Sequence, residues 1–149
     1  MKLLIHTDGG ARGNPGFAAI GVVIEEVTND KRPDISKREY KKEIAAFGKR
    51  IGETTNNVAE YTAVIEALTW IKEHKENTPG EFQYYLDSTL VVNQLNGLFK
   101  VKEAHLRELL TKVRLLEGEI GGVVTYAYVP REQNRRADYL VNKALDAGI

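Results

Sequence analysis

The apolar residues of this chain change their spacing once, near Asn57, and that change limits the folds open to it. Before it, they fall in short β-branched runs. Lys2 to Thr7 is apolar and strand-like. The segment AAIGVVIEEV, residues 18–27, places Ile20, Val22 and Ile24 on one face of a second strand. Residues 28–38, with Pro33 among them, read as a polar surface turn. Glu39 to Lys49 is a third strand, half charged, which suits the exposed edge of a sheet.

After the change, the period is helical. From Asn57 to about Lys75, Val64, Ala67, Leu68 and Ile71 recur at helical spacing until Pro79-Gly80 closes the segment. FQYYL, residues 82–86, is a short strand ending in Asp87, and the residues after it form a short helix that stops at Asn96-Gly97. Leu106, Leu109, Leu110, Val113 and Leu116 set a helix from about Glu103 to Leu116. VVTYAYV, residues 123–129, is a fifth strand stopped by Pro130, and Asn134 to Leu145 reads as a closing helix. Three strands in succession, then helix alternating with strand, imply an α/β fold with an antiparallel meander joined to parallel crossovers in one mixed sheet. A chain of 149 residues, 42% of them hydrophobic in type, has material for one core, so a single domain over 1–149 is expected.

The hydrophobic run LLIHT ends in Asp8 and leads into GGARGNPG, a glycine-rich stretch that invites comparison with a phosphate cradle. Such cradles lie between a strand and a helix, because aligned N–H groups at a helix start hold the phosphate. This one leads into a strand, and its glycines fall as G-x-x-G-x-x-G with no Lys-Ser/Thr pair. A ligand-free hairpin accounts for the glycines, since Gly, Asn and Pro are ordinary turn residues. Asp8 is harder to dismiss, because an acid at the end of an apolar strand needs a partner.

Three further acids share its character. Glu60 lies in the first turn of the long helix on the stripe of Val64, Ala67 and Ile71, although Asn57 three residues before it also makes it a capping-box candidate. Asp87 follows a strand and is a candidate helix cap. Asp138 shares a stripe with Val141 and Leu145 early in the last helix, where it would also favour the helix dipole. Two acids at strand ends and two near helix starts, all turned toward the crevice beyond the parallel strands, would repel one another unless a cation or protons neutralise them. The chain has no cysteine and no histidine associated with these acids, so oxygen ligation selects Mg²⁺ or Mn²⁺ over zinc, a site for phosphoryl chemistry. The formal net charge is zero, with 21 basic and 21 acidic residues, so attraction to nucleic acid must come from local clusters. No apolar run approaches the roughly 20 residues that span a bilayer, which together with the missing cysteines makes a soluble, cytoplasmic protein the expectation.

In order and spacing, TDGGARGNPG, TTNNVAEYTAVIEAL, YYLDSTLVVNQLNG and VPREQNRRADYLVNKAL closely resemble type 1 ribonuclease H across nearly the whole chain. The resemblance implies the ribonuclease H-like fold, a five-stranded mixed sheet with its first three strands antiparallel and helices on both faces. It also implies a monomer that hydrolyses the RNA strand of RNA/DNA hybrids with two Mg²⁺ ions, Mn²⁺ being an alternative, and leaves 5′-phosphate and 3′-hydroxyl ends. The family's acidic tetrad falls on Asp8, Glu60, Asp87 and Asp138, both as catalytic residues and as metal ligands. Gly9, Gly10, Asn14, Asn56 and Asn57 match its minor-groove contacts to the RNA strand, Thr55 matches its DNA-phosphate pocket, and Asn134 joins the nucleic-acid-binding set. Thr55 is equally placed to cap the long helix.

The chain departs from many members at two places. The loop just before the last acid carries no histidine, and Arg131 or Glu132 are the candidates to stand in for it. His6, His74 and His105 fall within a strand or helices, in structural or solvated places. The basic, tryptophan-rich protrusion is absent, leaving a milder basic stretch of Lys100, Lys102, Arg107, Lys112 and Arg114, with Arg131, Arg135 and Arg136 further on. Both departures resemble the compact branch of the family. Two rival readings remain: another nuclease of the ribonuclease H-like superfamily, such as a junction resolvase, exonuclease or integrase, and a catalytically silent hybrid-binding module.

Overall fold

A computed structural model describes residues 1–29, 39–74 and 80–147; the expected turn around Pro33 and the helix stop at Pro79 lie outside them. The chain runs β1 (Lys2–Gly13), β2 (Gly16–Asn29), β3 (Glu39–Thr54), α1 (Asn56–His74), β4 (Glu81–Leu86), α2 (Thr89–Leu95), α3 (Ala104–Ile120), β5 (Val123–Tyr128) and α4 (Arg135–Asp146), with a 3₁₀ turn at Arg131–Gln133. The five strands form one sheet in the order β3-β2-β1-β4-β5. β1–β2 and β2–β3 are antiparallel, while β1–β4 and β4–β5 are parallel. This is the mixed sheet expected from the sequence, with β3 on the edge.

The alternating side chains of β1 serve two faces. Leu3 and Ile5 join Ile20, Val22 and Ile24 of β2 and Phe82, Tyr84 and Leu86 of β4 in the main core, under α1, α2 and α3. Val64, Ala67, Leu68 and Ile71, the stripe that marked α1 in the sequence, are all buried there. α3 packs on α1 through Leu106, Val113 and Leu116, and runs four residues beyond its expected end. α4 covers the other face, over β1, β2 and β3.

One correction concerns β1. The sequence reading ended this strand at a loop beginning with Asp8, whereas the strand continues to Gly13 and pairs Gly9 with Ile20 and Gly10 with Ala19. Glycine is a poor strand residue by propensity, but here close neighbours demand it. A Cβ on Gly9 would sit 2.2 Å from the Ala59 carbonyl carbon of α1. The turn shrinks to Asn14-Pro15, joined by a cis peptide bond.

α4 approaches the sheet just as closely. Gly21 of β2 is paired with Asp8 on one side and Gly48 of β3 on the other. A Cβ on Gly21 would lie 2.2 Å from the Ala137 carbonyl oxygen, and one on Gly48 would lie 2.5 Å from that of Leu140. The helix backbone thus rests on a strip of sheet with no side chains, where it can carry Ala137 and Val141 into full burial. Gly21→Ala is expected to destabilise the fold by about 1–3 kcal/mol through forced displacement of α4. Gly118→Ala, in α3 with open space around it, should instead stabilise by roughly 0.5–1 kcal/mol. Urea unfolding of the two variants checks both signs.

Candidate active site

β4 stops at Leu86, and its pairing with β1 ends at His6–Tyr85. Continuing that register by two residues sets Asp87 level with Asp8. The strip Gly48–Gly21–Asp8 therefore ends in a second carboxylate where the sheet opens between β1 and β4. A crevice of about 640 Å³ lies there, lined by Asp8, Glu60, Asp87 and Asp138 and by Val141, Asn142 and Leu145 of α4. This is the place where parallel α/β sheets bind ligands, beyond the carboxyl ends of the strands.

Carboxylate oxygens of Asp8, Glu60 and Asp87 all lie within 4.8 Å of one another. Asp138 approaches from α4, and its carboxyl meets that of Asp8. Burial is the first cause of the resulting electrostatic strain. Together with the charges of Asp87 and Asp138, it pushes the Asp8 carboxyl up to about 8. Glu60 is held well above the usual carboxylate range, by burial first and then by Asp8 and Asp87. Asp87 is raised by burial as well, although Asn134 and Arg131 oppose the shift.

The competing roles for these acids are filled by other groups. Ser88, not Asp87, caps α2, its side chain accepting from the Val91 N–H at 3.2 Å. Thr55 caps α1 by accepting from the Val58 N–H at 3.3 Å. Glu60 faces the Gly9 N–H and the other acids, and its buried Oε2 has no hydrogen-bond partner. A buried carboxylate oxygen without a donor is costly unless something else neutralises it. An all-oxygen donor set of this kind fits a hard divalent cation.

Around the acids, the expected contact residues divide into two groups. Gly9, Gly10 and Asn56 line the crevice with Ala11 and Arg12. Asn56 is tied to the β1 segment twice: its N–H donates to Asn14 Oδ1 at 3.0 Å, and its Oδ1 accepts from the Ala11 N–H at 2.8 Å. Asn57 is half-buried and outside the crevice lining. Asn134 is placed differently from the expectation that it meets nucleic acid. It is 1% exposed, and its Nδ2 donates to the Thr7 carbonyl at 2.9 Å and to Asp87 Oδ2 at 3.4 Å, so it fixes an acid from behind. Of the two residues proposed in place of a histidine, Arg131 lines the crevice and Glu132 does not. His6 stacks on Tyr85, and His74 stacks on Trp70.

The sequence reading passed over Arg12, which lines the crevice, and Ser88, the cap that leaves Asp87 available. Its alternation with Asp8 and Gly10 along β1 was the available signal for Arg12. The basic stretch is partly used within the fold. Arg107 donates to the Lys102 carbonyl, Arg114 to the Leu95 carbonyl and Glu117, and Arg136 pairs with Glu43.

Comparison with known proteins agrees with this arrangement. The family model described as "Reverse transcriptase-like" matches residues 6–144. A bifunctional protein of Mycobacterium tuberculosis is 35% identical over 147 residues, which cover 99% of this chain and 36% of that protein. A ribonuclease H of Clostridium botulinum is 31% identical over 163 residues, covering 97% of this chain and 96% of the relative. Among solved structures, the LC11 RNase H1 in complex with an RNA/DNA hybrid superposes with a TM-score of 0.83 at 41% identity, covering 97% of each chain. This chain belongs to the type 1 ribonuclease H family. It spans about a third of the length of the mycobacterial relatives. No helix among the described residues is long and apolar enough to cross a membrane.

The raised carboxyls have a definite consequence for stability. Asp8 titrates at about 8 when folded against 3.8 when unfolded, so between those values the folded state holds a proton that the unfolded state has released. Stability of the metal-free protein is therefore expected to fall as pH rises through this window. Thermal unfolding in EDTA from pH 5 to 8.5 should show the decline, and Asp8→Asn should flatten it. Mg²⁺ should restore the melting temperature at the alkaline end by binding the folded form.

Proposed function

We propose that this chain is an endoribonuclease that hydrolyses the RNA strand of RNA/DNA hybrids, with Asp8, Glu60, Asp87 and Asp138 holding two divalent metal ions. The observation that carries the reading is the convergence of these buried and half-buried carboxyls, three of them within 4.8 Å, on a crevice beside the GGARGNPG segment. Similarity to named ribonucleases H, one of them solved on a hybrid, supports the choice of substrate.

Within this reading, Asp8 is the central ligand, because it contacts both the Glu60–Asp87 pair and Asp138. The ions, Mg²⁺ or Mn²⁺, would supply an attacking hydroxide at neutral pH and stabilise the departing 3′-oxygen, giving 5′-phosphate and 3′-hydroxyl ends. Glu60 accepts from the Gly9 main chain, which ties the metal site to the segment that meets the sugar. Asn134 holds Asp87 in place, and Arg131 offers a positive charge beside it.

Selectivity for RNA would come from the strand end, whose glycines let main-chain atoms approach a 2′-hydroxyl in the shallow minor groove. The Asn14 and Asn56 amides have their oxygens committed to main-chain N–H groups, so their Nδ2 groups are the ends available to donate outward. Among the described residues that line the crevice, only Arg12 and Arg131 are positive. Hybrid affinity is accordingly modest, with a shallow dependence on salt.

Two experiments test the reading. Labelled RNA/DNA, RNA/RNA and DNA/DNA duplexes, incubated with and without Mg²⁺ or Mn²⁺, should show metal-dependent cleavage of the RNA in the hybrid; a preference for DNA/DNA would favour a different nuclease on this fold. Asp8→Asn removes charge and little volume, so it is expected to lower cleavage by at least about 10³-fold while hybrid binding persists. Undiminished Mg²⁺-dependent cleavage by that variant would defeat the metal-site assignment.

A further inference from the structure

Arg12 stands at the end of the crevice away from Arg131. It lies four residues beyond Asp8 on β1, about 13 Å along the strand at the usual rise, on the same alternating face as Asp8 and Gly10. Its Nη2 donates to Asp146 Oδ1 at 2.6 Å, and Asp146 is the last residue of α4. The pair joins two elements separated by 134 positions, and both side chains are open to solvent, at 50% and 68% exposure. An exposed, singly bonded ion pair of this sort contributes little to stability. Its placement is therefore more informative than its strength.

Resting on the reading above, we infer that Arg12 binds a backbone phosphate of the hybrid away from the scissile one, and that Asp146 occupies its guanidinium as an internal phosphate mimic until substrate displaces it. Three features carry this. Arg12 is one of two cations lining a crevice dominated by four acids, in a chain with zero net charge, so each cation matters for holding a polyanion. Guanidinium matches phosphate and carboxylate with the same planar fork, so the two anions compete for one site. The crevice is continuous from Asp87 through Asp8 to Arg12, along the α4 stripe of Asp138, Val141, Asn142 and Leu145, so a strand threaded past the acids reaches the guanidinium. Exchange of a carboxylate for a phosphate keeps Arg12 paired throughout. Removing the competitor should therefore strengthen binding.

The test measures KM and kcat on a labelled RNA/DNA hybrid across a KCl series, for wild type, Arg12→Ala, Asp146→Asn and the double variant, with melting temperatures as a check on folding. Arg12→Ala should raise KM roughly fivefold at low salt, leave kcat within about twofold, and flatten log KM against log[KCl] by about 0.7–0.9. Asp146→Asn should lower KM by roughly two- to threefold at low salt, and should do nothing in the Arg12→Ala background because its effect passes through Arg12. If Arg12→Ala lowers the melting temperature but leaves KM and the salt slope unchanged, the pair is only a tether between β1 and α4 and the inference falls. An Asp146→Asn variant with raised KM overturns it equally. A wild-type protein inactive on every duplex would sink the proposed function along with it, whereas an active wild type with indifferent variants would sink this inference alone.

Discussion

The close seating of α4 on a side-chain-free strip of the sheet is the contact on which the site depends. Gly48 and Gly21 make that strip on β3 and β2, and the same row runs on to Asp8 of β1 and, by the β1–β4 register carried two residues further, to Asp87. The helix rests where Gly21 and Gly48 leave room for the carbonyls of Ala137 and Leu140. Asp138, one residue after Ala137, is thereby delivered to Asp8. Gly9 does the same on the opposite face, letting the start of α1 come close enough for Glu60 to reach the cluster. The spacing of the acids is thus set by backbone packing, which is stiff, and not by the reach of flexible side chains.

That stiffness holds together an arrangement that repels itself. Buried carboxyls raise one another's affinity for protons, and Glu60 keeps an oxygen with no donor at all. The surrounding structure relieves only part of the cost. Asn134 donates to Asp87, the Gly9 N–H faces Glu60, and Ser88 takes the capping duty that would have withdrawn Asp87. The charge left unrelieved is what a bound cation would neutralise, which ties the residual strain to the proposed chemistry.

Much of this was legible in the sequence, element by element. The β-branched runs, the helical stripe from Val64 to Ile71 and the half-charged third strand gave the elements and the edge of the sheet correctly, because they reflect burial, which side-chain period records directly. The four acids, each open to a capping or dipole role when taken alone, stood out through their joint placement and the family's spacing. The glycines misled as to the end of β1, since glycine is common both in turns and where backbones approach closely, and the sequence holds no mark that separates the two. Asn134 was grouped with the nucleic-acid-binding residues for a similar reason, its motif position being visible and its burial not.

The sequence by itself determined which residues carry charge, which faces are apolar and in what order strands and helices arise, because these follow from local composition and period. Only the tertiary structure decided that Asp87 falls level with Asp8, that Ser88 and Thr55 take the capping roles, that Asn134 turns inward and that Arg12 meets Asp146. Each is a contact between segments far apart in the chain, fixed by strand register and helix seating. Neither leaves a periodic trace in the residues themselves.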